Sequence, residues 1–240
     1  MDPKEYDLDI ILPVFNPVVG WTKTIEQASN NLRAMAPGLR FRLILVNDGS
    51  TIQVSRQAVQ QLQDRLPHLQ VISYQPNMGK GYAVRKGAEA STAPIVLFTD
   101  VDFPYREEDL LAVFEMLKHE KADLVIATRQ EDYYAEAPWS RKWISKILKG
   151  MIRYLMGIPT TDTQCGLKGF NQKGLNILRS TQINRYLFDL ELVKRAHQRE
   201  DVVLKPHPSR LKPCVVFTPV GWRILRREFR NFLWLLFQRL

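Results

Sequence analysis

Cysteine is nearly missing from this chain of 240 residues, which contains only Cys165 and Cys214. Two cysteines cannot form a disulfide framework or a cluster of thiolate metal ligands, so we expect a protein of a reducing compartment. Residues 1–7 are polar and acidic, which argues against a secretory signal. The longest purely apolar run near the C-terminus covers residues 232–237, far short of the ~20 residues that span a bilayer. We therefore expect any membrane contact to be peripheral.

Several catalytic motifs are also absent. The sequence has no Gly-x-x-x-x-Gly-Lys-Ser/Thr loop and no Gly-x-Gly-x-x-Gly in the first strand-to-helix turn, which argues against a P-loop ATPase and an NAD-dependent dehydrogenase. It has no Gly-x-Ser-x-Gly or His-Glu-x-x-His pattern either, which argues against an α/β-hydrolase and a zinc protease. The four histidines, His68, His119, His197 and His207, are scattered, so we expect each to be solvated or packed rather than catalytic.

The charge balance is basic. The chain has 34 Lys and Arg against 25 Asp and Glu, which gives a net charge of +9. This excess favours an anionic partner: nucleic acid, nucleotide phosphates or an acidic membrane surface. With 45% hydrophobic and 25% charged residues, the chain is otherwise ordinary for a globular protein and long enough for one large domain or a domain with an appendage.

Short β-prone runs alternate with longer segments of helical spacing. The strand-like runs cover residues 8–14, 41–46, 69–74, 95–98 and 124–127. Between them, apolar residues recur every three or four positions, as at Val54, Ala58, Leu62 and Leu66. This alternation predicts an α/β domain with a mostly parallel sheet, in which ligands bind at the carboxyl ends of the strands.

Polar or glycine-rich segments follow four of the predicted strands. They are residues 13–17 (Pro-Val-Phe-Asn-Pro), 47–51 (Asn-Asp-Gly-Ser-Thr), 77–81 (Asn-Met-Gly-Lys-Gly) and 100–102 (Asp-Val-Asp). In the third segment, Lys80 lies between two glycines at a predicted helix start, where backbone N–H groups favour an anion. Each segment alone is consistent with a plain turn. Four of them on one edge of one sheet indicate a binding site.

Asp100 and Asp102 are one residue apart and directly follow an apolar strand. Because alternate residues of an extended chain share a face, both carboxylates can point to one place beyond the strand end. Hard oxygen ligands at such a position suit Mg²⁺ or Mn²⁺ bound to a diphosphate. A lone Asp-x-Asp is weak evidence, but its place among the other segments favours a metal site.

In chain order, these segments resemble the signature motifs of family-two glycosyltransferases of the GT-A fold. The matching segments are residues 12–16, 46–50, 77–87 and 100–102, within a resemblance that extends over residues 8–210. Two further segments, residues 162–170 (Asp-Thr-Gln-Cys-Gly-Leu-Lys-Gly-Phe) and 188–192 (Phe-Asp-Leu-Glu-Leu), resemble the polyprenyl-phosphate branch, especially dolichyl-phosphate glucosyltransferases. The sequence departs from the usual motifs at Asn47, Leu167 and Gly169, where the family commonly has Asp, Phe and an aromatic or aliphatic residue.

The resemblance implies a UDP- or GDP-sugar donor, a polyprenyl phosphate acceptor and a Mg²⁺ or Mn²⁺ cofactor held by Asp100 and Asp102. The residues that it implies for nucleotide binding are Pro13, Phe15, Asn16, Asp48, Lys80 and Asp100. Those that it implies for catalysis are Asp102, Arg129, Asp162 and Gln164, and those for the acceptor phosphate are Arg129, Arg141, Ser145 and Arg210. For Arg210, simple solvation is an equally good interpretation.

Two segments combine an apolar stripe at helical spacing with many basic residues. The first covers residues 141–156, and the second covers residues 222–240. Basic helices with Trp, Phe and Leu on one side bind anionic lipid surfaces, and packing of the stripe on the core is the alternative. For the first segment we expect a role shared between the core and the acceptor site, and for the second we favour contact with a membrane or a partner protein.

The sequence therefore predicts a GT-A domain over residues 1–215 and a basic amphipathic helix over residues 216–240. We expect an inverting glycosyltransferase that moves a hexose, with glucose favoured, from a nucleoside diphosphate to a polyprenyl phosphate at the cytoplasmic face of a membrane. An integral membrane subunit or a second copy of the chain is a further expected partner. The alternatives are a family-two transferase with a soluble glycan acceptor and a non-catalytic module that binds nucleotide sugar or lipid. No nucleic-acid motif is visible, so nucleic acid is disfavoured as a partner.

Overall fold

A seven-stranded sheet forms the centre of the computed structural model, which describes residues 6–129, 165–212 and 222–237. The first half of the chain forms β1 (Leu8–Val14), α1 (Trp21–Met35), β2 (Phe41–Asp48), α2 (Arg56–Arg65), β3 (Leu69–Tyr74), α3 (Lys80–Ala90), β4 (Ile95–Phe98), α4 (Glu107–Lys118) and β5 (Leu124–Arg129). After residue 164 follow β6 (Lys168–Phe170), α5 (Gln172–Ser180), α6 (Phe188–His197), β7 (Leu204–Ser209) and α7 (Trp222–Phe237). The five predicted strands are confirmed, with β2 and β5 each two residues longer than expected.

The strand order is β3-β2-β1-β4-β6-β5-β7. β6 runs antiparallel to both of its neighbours, β4 and β5, and the other neighbouring pairs are parallel. The prediction of a mostly parallel sheet is therefore confirmed. The carboxyl ends of β1, β2, β3 and β4 lie at one edge, which brings the four segments noted in the sequence together.

The core has two layers, one on each face of the sheet. Ile10 and Leu12 of β1 belong to the layer that α1, α2 and α4 cover, whereas Ile11 belongs to the layer of α3, α5 and α6. Residues on both faces of β1 and β2 are buried, so these strands are continuous apolar runs rather than alternating ones. Because helices cover both faces of the sheet, a ligand has access at the edge where the strands end.

The C-terminal helix α7 packs partly on the core. Phe232 and Leu235 are buried in the same layer as α6, and the backbone N–H of Leu187 donates to Glu228 Oε2 at 3.1 Å. We expected this helix to contact a membrane or a partner protein rather than the core. That expectation is wrong for the face with Phe232 and Leu235, because these side chains are already buried within the chain. Leu233, Trp234 and Phe237 remain exposed, with Phe237 at 85%.

Other parts of the two basic segments lie outside the described residues. These parts are all of residues 141–156, the last three residues of the chain, and the side chains of residues 222–227 and of Phe229. Among the helices that the structure describes, none is both long enough and apolar enough to cross a membrane.

Candidate active site

The loops after β1 and β2 are joined by Asn16. Its backbone N–H donates to Ser50 Oγ at 3.0 Å, and its side-chain Oδ1 accepts from the backbone N–H groups of Thr51 and Ile52 at 2.9 and 3.2 Å. The φ angle of 46° at Asn16 is one that asparagine tolerates better than most residues. Asn16 thus lies at the predicted edge, where its carbonyl oxygen stabilises the loop itself.

Pro13 and Phe15 lie beside this junction. Pro13 is half-buried in β1, and Phe15, just beyond the strand, has 50% of its surface exposed. An exposed aromatic ring at the carboxyl end of a central strand offers a flat apolar surface on which a base can stack. Both residues lie at the edge where the nucleoside is expected, and their contact with it stays a prediction.

Asp48 joins the end of β2 to the loop before α3. Its buried carboxylate accepts from the backbone N–H groups of Met78 and Gly79 at 2.7 and 2.8 Å, and from Asn77 Nδ2 at 2.7 Å. A carboxylate has about four acceptor positions, and the protein itself fills three of them here. Asp48 therefore shapes the pocket by fixing residues 77–79, and its predicted contact with the nucleoside remains a prediction.

The glycines around Lys80 allow close packing of protein backbone. Gly79 has a φ of 109°, and a Cβ on it would overlap the carbonyl oxygen of Asn184; one on Gly81 would lie 2.5 Å from the carbonyl oxygen of Ile183. The N–H groups of Met78 and Gly79 are used by Asp48, and that of Tyr82 donates to Asn184. We expected the glycines to let backbone N–H groups reach a ligand. This is wrong for the N–H groups of Met78, Gly79 and Tyr82, because each already donates to an acceptor of the protein.

Lys80 and Asp100 form an ion pair at the mouth of the site, with 2.5 Å between Nζ and Oδ1. Lys80 is the first residue of α3, as predicted, and Asp100 lies two residues beyond β4. Phe103 fixes the turn that follows, because its side chain is fully buried and its backbone N–H donates to the carbonyl oxygen of Asp100 at 2.9 Å. Both partners are partly open to solvent, so a bound diphosphate can reach them.

Asp102 lies exposed in the same turn. Partial desolvation and the negative charge of Asp100 raise its pKa, while the charges of Lys80 and Lys212 act in the opposite direction. A cation bound beside Asp102 would favour its ionised form and offset both effects that raise its pKa.

The segment before β6 lies directly on Asp100. A Cβ on Gly166 would overlap Asp100 Oδ2, so only glycine fits there. The hydroxyl of Tyr105 holds this segment, since it accepts from Cys165 Sγ at 2.9 Å and from the backbone N–H of Gly166 at 3.2 Å. The close approach of Asp100 thus accounts for glycine at position 166.

Lys168 and Asp189 form a buried ion pair beneath the site, with 2.7 Å between Nζ and Oδ1. Lys168 comes from β6 and Asp189 from the first turn of α6. Both residues stand in the segments that the sequence analysis singled out, but the sequence assigned neither of them a role. The signal that was available was a lysine in the otherwise apolar run 165–170 and two acidic residues, Asp189 and Glu191, in the run 188–192.

Arg210 lies beside the turn that carries Asp102. Its backbone N–H donates to Asp109 Oδ2 at 2.9 Å, its carbonyl oxygen accepts from the N–H of Arg106 at 3.3 Å, and its side chain is exposed. The neighbouring Lys212, which the sequence analysis did not single out, donates from Nζ to Glu107 Oε1 at 2.8 Å. The charge of Lys212 acts on Asp102, whereas the contact of Arg210 with the acceptor phosphate stays a prediction.

The profile of a family described as "Glycosyl transferase family 2" matches residues 9–178, well over half of the chain. The chain belongs to this family. Solved structures with a similar fold include a glucosyl-3-phosphoglycerate synthase of Mycobacterium tuberculosis, in complex with Mn²⁺, UDP and phosphoglyceric acid, which superimposes with a TM-score of 0.70 at 15% identity over 97% of this chain and 79% of that one. A mannosyltransferase of Pyrobaculum calidifontis, in complex with GDP-Man and Mn²⁺, gives a TM-score of 0.57 at 16% identity over 86% and 56%. The GT-A fold expected from the sequence is confirmed.

Curated relatives in sequence carry the name dolichyl-phosphate beta-glucosyltransferase. One from Trichomonas vaginalis is 26% identical over 205 residues, which is 80% of this chain and 62% of that protein. The one from Saccharomyces cerevisiae is 25% identical over 229 residues, or 86% and 68%. The chain thus spans somewhat under two thirds of the length of the first of these relatives, and its resemblance to this branch of the family is confirmed.

Asp100 and Asp102 have the chemistry to hold a divalent cation such as the Mn²⁺ bound in the two solved neighbours. They are hard oxygen donors at a solvent-open strand end, and their mutual repulsion would be relieved by positive charge. No cluster of three or more metal-binding side chains occurs among residues 6–129, 165–212 and 222–237. The donor set therefore suits Mg²⁺ or Mn²⁺ that takes its remaining ligands from substrate phosphates and water, rather than a metal enclosed by protein.

The remaining predicted family residues fall where the structure gives no side chain. Asp162, Gln164, Arg141 and Ser145 lie outside the described residues. Arg129 is the last residue of β5, so its backbone lies at the site edge of the sheet, but its side chain is outside the described part. Their predicted roles stay predictions.

Proposed function

We propose that this protein is an inverting glycosyltransferase that moves a hexose, with glucose favoured, from a nucleoside diphosphate to a polyprenyl phosphate. The observation that carries the proposal is the Lys80–Asp100 ion pair with Asp102 beside it, at the carboxyl end of the central strand β4. A diphosphate needs cationic groups and a metal held by carboxylates, and Lys80, Asp100 and Asp102 are suited to supply both at one place. Activity, donor and acceptor are all parts of the proposal.

The donor assignment rests on the pocket and on the relatives together. Phe15, Asn16 and the loop fixed by Asp48 form an apolar and polar wall next to Lys80. The solved relatives were crystallised with UDP or GDP-Man, and the curated relatives in sequence are named for dolichyl phosphate and glucose. We therefore favour UDP-glucose, with GDP-sugars as the alternative donors.

In the proposed reaction an oxygen of the acceptor phosphate attacks the anomeric carbon of the sugar. The bond from that carbon to the donor diphosphate breaks, and the nucleoside diphosphate leaves with the bonding electrons, so the configuration inverts. A phosphate monoester is already anionic at neutral pH, so the attack needs no general base. Catalysis then depends on positioning and on stabilisation of charge.

The chain's own residues would supply most of this stabilisation. Lys80 would bind the diphosphate, and Arg210, with Arg129 and Arg141 as predicted, would hold the acceptor phosphate against the repulsion of the donor. Asp100 and Asp102 would hold Mg²⁺ or Mn²⁺, which neutralises the charge that develops on the leaving diphosphate.

A membrane surface is the proposed location of the acceptor. The exposed side of α7 carries Leu233, Trp234 and Phe237, and Arg230 is exposed on the same helix. Apolar and aromatic side chains next to a cation are typical of helices that lie at an anionic lipid interface. We propose that this side rests on the bilayer that contains the polyprenyl phosphate, at its cytoplasmic face, directly or beside a further subunit.

The test is transfer of radiolabelled sugar from a panel of UDP- and GDP-sugars to polyprenyl phosphate in detergent with Mn²⁺ or Mg²⁺. We expect label in the organic phase with one donor, UDP-glucose. Label that appears only on a soluble phosphate or glycan acceptor would overturn the lipid assignment and favour a soluble-acceptor transferase. Nucleotide-sugar binding without transfer to any acceptor would favour a non-catalytic module.

A further inference from the structure

The buried Lys168–Asp189 pair is unusual for a place without access to water. The side chain of Lys168 has 0% exposure and that of Asp189 has 7%. Lys168 Nζ also donates to the carbonyl oxygen of Cys165 at 2.6 Å. Removing two charges from water costs more than their attraction usually returns, and apolar side chains of similar size would pack the same space. The pair therefore calls for an explanation other than stability.

Phe98 places this buried pair directly under the candidate active site. The Lys168 ammonium lies 5.2 Å from the centroid of the Phe98 ring, and the Lys80 ammonium lies 5.8 Å from the same centroid. Phe98 is the last residue of β4, and Asp100 follows two residues later. One aromatic ring thus contacts both the buried lysine and the lysine at the mouth of the site.

Four charges of alternating sign lead from the core to the mouth of the site: Lys168, Asp189, Lys80 and Asp100. The start of α6 packs on the start of α3, because a Cβ on Gly81, the residue after Lys80, would lie 2.6 Å from the Cβ of Phe188, the residue before Asp189. Burial raises the pKa of Asp189, and the charges of Lys168 and Lys80 oppose that rise. Lys80 therefore has a carboxylate neighbour on the core side as well as on the solvent side.

We propose that Asp189, with Lys168 as its fixed counterion, is a positioning residue that holds the Lys80 ammonium at the start of α3. There Lys80 forms an ion pair with Asp100 in the free protein and would bind the donor diphosphate in the complex. A lysine side chain has four rotatable bonds, and without a second anchor it would follow Asp100 or turn into solvent. The inference rests on the proposed function, since it names how a residue of that same site is held.

A double-mutant cycle tests this inference by calorimetric binding of UDP and, separately, of GDP, each with Mn²⁺. Lys80→Met should weaken binding of the nucleotide that the protein prefers by about 100-fold, and Asp189→Asn by about tenfold. If Asp189 acts through Lys80, Asp189→Asn should add nothing in the Lys80→Met background. The matched control is Asp123→Asn, which changes another buried carboxylate, one that accepts from Asn171 and from the N–H of Val203; it should leave the affinity unchanged.

Two outcomes would overturn the inference alone. One is an equal, additive loss from Asp189→Asn in both backgrounds, which is what a merely structural role gives. The other is full nucleotide affinity in the double variant Lys168→Met with Asp189→Leu. This variant replaces the ion pair with apolar side chains that keep the core filled, so it can be measured even if Asp189→Asn fails to fold. If the unaltered protein binds neither UDP nor GDP, the proposed function itself fails, and the inference fails with it because Lys80 then has no diphosphate to meet.

Discussion

The backbone N–H of Gly79 donates a hydrogen bond of 2.8 Å to the buried carboxylate of Asp48, which joins the end of β2 to the start of α3. Lys80 is the next residue after Gly79, so its position depends through this bond on a carboxylate at the end of β2. Asn16 makes a similar junction between the loops after β1 and β2. The strand-end loops therefore hold one another in place, so that the site is largely formed before a ligand binds.

Asp48→Asn should lower the free energy of unfolding by about 2–3 kcal/mol and weaken nucleotide binding. The amide has one acceptor oxygen where the carboxylate has two, so it leaves one of the N–H groups of Met78 and Gly79 without a partner. Urea unfolding and calorimetry with UDP and Mn²⁺ measure the two effects. The control is Asp64→Asn. Asp64 is exposed on α2 and its carboxylate accepts from Gln60, so this variant should change stability by less than about 0.5 kcal/mol. Equal effects of the two variants would contradict this account of Asp48.

Asp102→Asn should reduce sugar transfer by about 100-fold or more and remove its dependence on Mn²⁺, while the fold survives. The change removes a charge from an exposed turn and leaves the core volume unchanged. Initial rates against Mn²⁺ concentration, with thermal unfolding as the check on folding, measure the effect. Asp201→Asn, another exposed carboxylate, is the control and should behave as the unaltered protein. Unchanged turnover in Asp102→Asn would rule out the metal assignment.

Gly166→Ala should impair the site through Asp100. The added Cβ would overlap Asp100 Oδ2, so the carboxylate must move away from Lys80 or the segment must shift. We expect the apparent Mn²⁺ concentration for half-maximal transfer to rise by about tenfold or more. Gly38→Ala is the matched control, because a Cβ there meets nothing within 4 Å. An identical metal dependence in the two alanine variants would show that Asp100 does not need its present position.

The two sides of α7 should respond differently to substitution. Leu235→Ala should cost about 2–4 kcal/mol of stability because Leu235 is fully buried, whereas Phe237→Ala should cost less than about 0.5 kcal/mol because Phe237 is exposed. Phe237→Ala combined with Trp234→Ala should instead weaken binding to vesicles that contain anionic lipid. Vesicle binding that is unaffected by the pair would contradict the proposed membrane side of α7.

His68 should make stability fall as the pH drops below neutrality. Burial and the nearby charge of Arg33 lower its pKa from 6.5 to about 4. Arg33 can only donate, so Nδ1 accepts from Arg33 at 2.6 Å and Nε2–H donates to Ser29 Oγ at 3.0 Å, which fixes the neutral ring. The unfolded chain binds the proton more tightly, so the contribution is complete above pH 6.5 and is lost towards pH 4.

At pH 5 the loss from His68 should amount to about 2 kcal/mol relative to pH 7.5. Urea unfolding at the two pH values measures it, with His68→Gln as the matched variant that lacks a titrating ring. If the unfolding free energy of the unaltered protein and of His68→Gln falls by the same amount, the ring does not titrate as described.

The first part of the fold could be predicted because its strands are short apolar runs that end in turn residues. β6 and β7 could not. β6 has only three residues, including Lys168 and a glycine, and Gly169 is required there because Val113 and Leu97 leave no room for a Cβ. β7 contains Pro206 and Pro208, which the sequence pattern excludes from a central strand and which its place at the sheet edge tolerates.

The positions of Asp48, Lys80 and Asp100 could be predicted because each lies at, or within six residues after, the carboxyl end of a strand. The roles of the glycines and of Asp48 were harder to foresee, because a sequence does not tell whether a backbone N–H meets a ligand or another part of the chain. Asp189 shows the same limit: its partner Lys168 is 21 positions earlier in the sequence, and only the packing of α6 against β6 brings the two charges together.

The most direct test of the central claim is the transfer of label from radiolabelled UDP-glucose to polyprenyl phosphate with Mn²⁺, measured in parallel for the unaltered protein and for Asp102→Asn. The account predicts lipid-extractable label that needs both the acceptor and Mn²⁺ in the first case, and almost none in the second. Equal lipid labelling by both proteins would contradict the assigned site. No lipid label with UDP-glucose or with any other donor of the panel would contradict the proposed reaction.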